Sequence, residues 1–73
     1  MPKVPLLKPK EVIRVFKKFG WVVARSSGSH IILTKEGNIS TLSIPNHNEI
    51  ARGTLRALID KSGLTIEDFI KEL

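Results

Sequence analysis

The sequence predicts a small α+β domain of order α-β-β-β-α: a three-stranded antiparallel sheet with its helices packed on one face. Three observations lead there. Residues 9–19 carry apolar side chains at helical spacing. Residues 21–44 break into three short segments of period-two character, separated by turn residues. After Pro45 the helical period returns and runs to the end of the chain.

In the first helix Val12, Val15, Phe16 and Phe19 share one face with Ile13 at its margin, while Lys10, Arg14, Lys17 and Lys18 take the opposite side. Pro9 suits the first turn and Gly20 the position just past the end. The strands are expected over 21–26, 29–35 and 39–44, joined through Ser27-Gly28 and through Glu36-Gly37-Asn38, both hairpin-sized connections. Alternation places Ile31 and Leu33 on one face of the middle strand and His30, Ile32 and Thr34 on the other. In the third strand Leu42 and Ile44 oppose Thr41 and Ser43. Packing the helices on Ile31, Leu33, Leu42 and Ile44 leaves His30 on the open side or at its rim, and a register slip of one residue would reverse that placement.

Pro45 is expected to end the sheet, and Asn46-His47-Asn48-Glu49 to form a polar loop. A helix over 54–62 then buries Leu55, Leu58 and Ile59 and stops at Gly63. A short terminal helix begins at a Thr65 cap with Asp68 in the capping-box position and Leu64 placed to staple onto Phe69. Trp21 and the phenylalanines sit at core periods, which favours packing over base stacking.

The 73 residues form one domain, with 1–8 as an extended leader. A chain this short buries about 60% of its unfolded surface, so stability rests on packing and on any partner. It has no cysteine, which rules out disulfides and thiolate zinc sites. No apolar run approaches the length of a membrane span or a signal-peptide core, so a cytoplasmic protein is expected.

Charge is unevenly spread. Through Lys35 there are eight Lys and Arg against one acid, Glu11, giving +7; from Glu36 onward four basic residues face six acidic ones, giving −2. A basic first half fits a polyanion such as RNA or DNA, although a lysine-rich solvated surface has the same composition.

Proton-transfer groups for neutral pH are few: two histidines, no cysteine and no tyrosine. His30 closes the run Arg25-Ser26-Ser27-Gly28-Ser29-His30 and opens the apolar Ile31-Ile32-Leu33. The plain alternative is a strand-edge imidazole with no chemical task. Against it, Gly28 permits close approach of a ligand backbone, Ser29 offers a hydroxyl and an amide donor, and Arg25 brings a fixed positive charge across a short turn. Base, donor and cation together suit phosphodiester chemistry. RNA cleavage asks least of so sparse a site, because its nucleophile, the 2′-hydroxyl, belongs to the substrate and no metal is needed. A DNA nuclease activating water commonly uses metal-binding carboxylates, and no such cluster is visible. His47 is either a loop histidine satisfied by backbone and water, or a second acid–base group or phosphate contact. A zinc site from His30, His47 and Glu49 lacks the ligand count and spacing of a recognised pattern. No cofactor and no small-molecule ligand are expected.

Together these residues resemble a known family, the HicA-type toxins of bacterial and archaeal toxin–antitoxin pairs, also called the YcfA/HicA-like family. The resemblance spans about residues 2–73. It rests on Lys10-Glu11-Val12-Ile13, Gly20-Trp21, the Arg25–His30 run, Ile44-Pro45-Asn46-His47, Gly53-Thr54-Leu55-Arg56-Ala57-Leu58-Ile59, Ser62-Gly63-Leu64-Thr65 and Glu67-Asp68-Phe69, in that order. It implies a fold similar to a double-stranded-RNA-binding domain (dsRBD-like), and an mRNA-cleaving ribonuclease whose essential histidine matches His30. It also implies a HicB-type antitoxin that covers the active site. Two departures stand out: Lys8-Pro9 replaces the family's frequent Ser or Thr cap, and Asn38-Ile39-Ser40 is uncharged where basic residues often precede the third strand. The reading is then a metal-independent endoribonuclease with His30 as general base or acid, Gly28 and Ser29 shaping the phosphate site, and Arg25 and His47 as RNA contacts. Its main alternative is a non-catalytic RNA-binding module of the same fold. A third class, a subunit binding only protein, leaves the basic first half without a purpose.

Overall fold

A computed structural model of the chain describes residues 4–73, so the first three residues of the expected leader lie outside the described residues. The order is α1 (Pro9–Lys18), β1 (Val22–Ser26), β2 (His30–Thr34), β3 (Leu42–Pro45), α2 (Arg52–Ser62) and α3 (Ile66–Lys71). The strands form one antiparallel sheet in the order β1-β2-β3. This is the α+β, dsRBD-like arrangement, with α1 and α2 both packed against β3.

Helix α1 forms where its apolar stripe can be buried: Val12, Val15 and Phe16 are inaccessible, while Lys10, Arg14, Lys17 and Lys18 remain exposed. Lys8 stands at its N-cap and has no acceptor to offer. Only the return half of a capping box therefore forms, with the Lys8 amide donating to Glu11 Oε1 at 3.0 Å. Gly20 follows at φ 97°, a left-handed conformation that lets the chain reverse into the sheet. The full box forms at α3, where the Asp68 amide donates to Thr65 Oγ1 at 3.0 Å.

The core is one cluster from every element except β1, joined by Val4, Leu7, Trp21 and Ile50 from the connections. Phe16 lies at its centre, with ring centroids 5.1 Å from Phe69 and 6.4 Å from Trp21. From the sheet come Leu33, Leu42 and Ile44, all fully buried, with Ile31 packed at the margin. Cross-strand partners share a face, so the pairs Ile31–Ile44 and Leu33–Leu42 define the covered side, and His30–Pro45 and Ile32–Ser43 the open side. The alternation expected for β2 and β3 is the one observed.

Several boundaries differ from the expectation. Trp21 precedes β1 instead of opening it, because its indole is drawn into the core at 1% exposure. β3 begins at Leu42, three residues later than expected, and Ile39 lies wholly in solvent as part of the turn. Pro45 is the last paired residue of the sheet. α2 starts two residues early, at Arg52. The described part of the leader is docked: Leu7 bridges Ile50, whose amide donates to the Leu7 carbonyl at 2.8 Å, and Arg52 Nε donates to the Val4 carbonyl at 3.0 Å.

Candidate functional site

The open face of the sheet and the turn at its end carry the chemistry-bearing residues. β1 ends at Ser26 and β2 begins at His30, so the connection is Ser27-Gly28-Ser29, one residue longer than expected. Gly28 does not take a left-handed conformation, which excludes the two-residue primed turn. Ser27 closes the turn in its place. Its amide donates to the His30 carbonyl at 2.8 Å, while its hydroxyl accepts from the His30 amide at 3.2 Å and lies 3.2 Å from the His30 carbonyl. A side-chain oxygen thus stands in for the carbonyl a regular hairpin would use.

A second clamp comes from the strand on the other side. The Asn46 amide donates to the Ser29 carbonyl at 2.9 Å, and Asn46 Nδ2 points to the Gly28 carbonyl at 3.4 Å. Asn46 therefore fixes the turn to the end of β3. Neither Ser27 nor Asn46 stood out in the sequence as a positioning residue. The available signal was a hydrogen-bonding side chain directly after a strand-ending proline.

His30, the expected catalytic residue, is exposed at the first position of β2, on the open face. Its Nδ1 lies 3.1 Å from Ser29 Oγ. That contact occupies one ring nitrogen and leaves Nε2 to face solvent or substrate. With Nδ1–H donated to the serine, Nε2 is a base; with the serine hydroxyl donating, Nε2 carries the proton.

Arg25 reaches the same face because of a bulge. Val23 pairs with Leu33, but Arg25 pairs with Ile32, leaving Ala24 without a partner of its own. Continued regular pairing would have set Arg25 opposite Ile31, on the covered side. The bulge moves it to the open side, one diagonal from His30, a separation of about 7–8 Å in sheet geometry. Among the described residues Arg25 takes part in no ion pair, so its guanidinium is available to an anion.

His47 lies two residues beyond Pro45, the cross-strand partner of His30. It lines a shallow cleft of about 490 Å³ with Lys8, Lys10, Asn46 and Glu49. Asn46 is shared between this cleft and the clamp on the turn, so His47 sits beside the site, on its flank. Among the described residues no three His, Cys, Asp or Glu side chains gather as a set able to hold a metal ion, and His30, His47 and Glu49 do not do so.

Fold and site together define a small α+β domain that presents an imidazole, a hydroxyl and an exposed guanidinium at the bare end of its sheet. The family model described as the HicA toxin of bacterial toxin–antitoxin systems matches residues 9–64, from the first residue of α1 to just past α2. The chain belongs to this HicA toxin family, and toxins of this kind are paired with an antitoxin. The chain matches no curated protein. Among the described residues no helix is long and apolar enough to cross a membrane.

Proposed function

We propose that this chain is an endoribonuclease that cleaves mRNA in the cytoplasm without a metal, using His30 as its acid–base group. The observation that carries this reading is an exposed imidazole, His30, in contact with the Ser29 hydroxyl, with Arg25 set by the strand register on the same open face. His30 Nε2 takes the proton from the ribose 2′-hydroxyl. The 2′-oxygen then bonds to the adjacent phosphorus, the bond from phosphorus to the 5′-oxygen breaks, and the leaving oxygen is protonated by the imidazolium or by water. The products are a 2′,3′-cyclic phosphate and a free 5′-hydroxyl, so atoms and charge balance with no further reagent. Arg25 stabilises the charge that builds on the phosphorane, and exposed Gly28 lets the RNA backbone approach the turn.

The partner that silences such a site is a HicB-type antitoxin presenting an acidic surface to His30 and Arg25. Opposite charge speeds the encounter, and burial of the open face excludes RNA. Binding also raises the melting temperature of so small a domain.

The deciding experiment incubates the purified protein and its His30→Ala variant with a structured RNA in EDTA. Cleavage by the wild type alone is expected. An exposed imidazole at the start of a strand contributes about 0.5 kcal/mol or less to stability, so the variant should keep its thermal transition. RNA that stays intact but bound by both proteins favours the non-catalytic module. A variant that no longer melts cooperatively makes His30 structural and removes the assignment.

A further inference from the structure

We infer that the RNA strand leaves the His30 site in one direction, over Asn46 and His47 and then along α1, held there through its phosphates by Lys8, Lys10, Arg14 and Lys17. This inference rests on the ribonuclease reading above and adds the path of the substrate. The track is continuous by contact. Asn46 is bonded to the Ser29 and Gly28 carbonyls and also lines the cleft with His47, Lys8 and Lys10. Lys10 in turn lines a second groove, of about 240 Å³, with Ile13, Arg14 and Lys17. From Lys10 to Lys17 is seven residues of helix, or about 10 Å of further path.

Charge gives the track its direction and its end. Lys8, Lys10, Arg14 and Lys17 are exposed and, among the described residues, none is ion-paired. Among the described residues the one carboxylate lining either groove is Glu49, while Glu11 is occupied in capping the Lys8 amide. Lys18, next along α1, is instead held by the C-terminal segment: its Nζ lies 3.8 Å from Glu72 Oε1 and donates to the Glu72 carbonyl at 3.1 Å. Other routes are mixed in charge. Lys35 adjoins Glu36 at the β2–β3 turn, and on or beside α2 and α3 Arg52, Arg56, Lys61 and Lys71 are interspersed with Asp60, Glu67, Asp68 and Glu72. Among the described residues no aromatic ring lines the track, so it holds the RNA backbone without reading bases.

The test measures binding of a 12-nucleotide single-stranded RNA to the His30→Ala protein across a salt series. Two charge-matched variants are compared on that background: Lys10→Ala/Lys17→Ala on the track, and Lys61→Ala/Lys71→Ala on α2 and α3. All four positions are exposed, and alanine favours helix, so thermal melting should show every protein folded. Loss of two phosphate contacts lowers the log–log salt slope by about 1.4 for a single strand, and this is expected for the track pair alone. Equal slope changes in both pairs mean that net charge acts diffusely and overturn the track. An unchanged slope in both overturns it too, and loss of antitoxin binding by the track pair would then reassign α1 to an acidic protein surface. Failure of the wild type to cleave RNA, with the expected slopes intact, removes the ribonuclease reading and leaves the track standing.

Discussion

The two faces of the sheet are made from alternating residues of the same strands, yet they answer to different demands. On the covered face Leu33, Leu42 and Ile44 are fully buried against helices, and each is held by many neighbours. On the open face Arg25, His30 and Ser43 are exposed, and Ile32 and Thr34 are half-buried at most. The covered face is determined by packing, which tolerates little change in volume. The open face is determined by hydrogen bonds at its end, through Ser27 and Asn46, and by the bulge at Ala24. Stability and chemistry thus lie one residue apart along β2, and substitutions can separate them.

The largest contrast is between adjacent residues. Leu33→Ala should cost about 2–5 kcal/mol, as truncation of a fully buried leucine does, a large share of the about 4–11 kcal/mol expected for a 73-residue domain. Ile32→Ala, on the other face, should cost about 1 kcal/mol, the span of strand propensity, and lower the melting temperature by about 4–8 °C. Similar losses at the two positions, read by thermal melting, would mean that the open face is covered in solution.

Asn46→Ala comes next. It removes one side-chain bond to the Gly28 carbonyl while keeping the backbone bond to Ser29, for a cost of about 0.5–1.5 kcal/mol. If the clamp positions His30, cleavage should fall by more than this stability loss explains, with the pH profile of the rate keeping its shape. Activity that simply follows the folded fraction would reduce Asn46 to a stabilising role.

Smaller still is the stability effect of exchanging two neighbours, Arg25→Ser with Ser26→Arg. Both positions are exposed, so the melting temperature should barely move, within about 0.5 kcal/mol. The exchange keeps the net charge but carries the guanidinium to the face of Ile31. Cleavage should drop as far as in Arg25→Ala. Retained activity would show that the charge acts from either face and that the bulge has no part in it.

Gly28→Ala should have the least effect on stability. An added Cβ there meets no atom within 4 Å and the backbone is not left-handed, so the free protein accommodates it. Any loss of RNA binding therefore reports a close approach of the ligand itself. Equal affinities for wild type and variant would place the RNA backbone away from the turn.

Sequence by itself determined the element order, the alternation along β2 and β3 and the core from Val12 to Phe69, while for His30 it offered the open side or its rim and left the register to decide. These follow from local periodicity, since a side chain's face is set by its position in a helix or strand once one face must be buried. It also carried the family, through the motifs around Arg25–His30 and Gly53–Ile59. Tertiary structure decided the rest. Arg25 joins His30 only because one unpaired residue shifts the register, and such a bulge depends on the partner strand. The turn is held from Asn46, 18 residues beyond Gly28, and Val4 and Leu7 of the expected leader are buried by Ile50 and Arg52. The grooves that join His47 to α1 likewise arise from packing the start of the helix beside the loop after β3. Each of these is a contact between segments distant along the chain, and periodicity within one segment holds no information about which distant backbone it will meet.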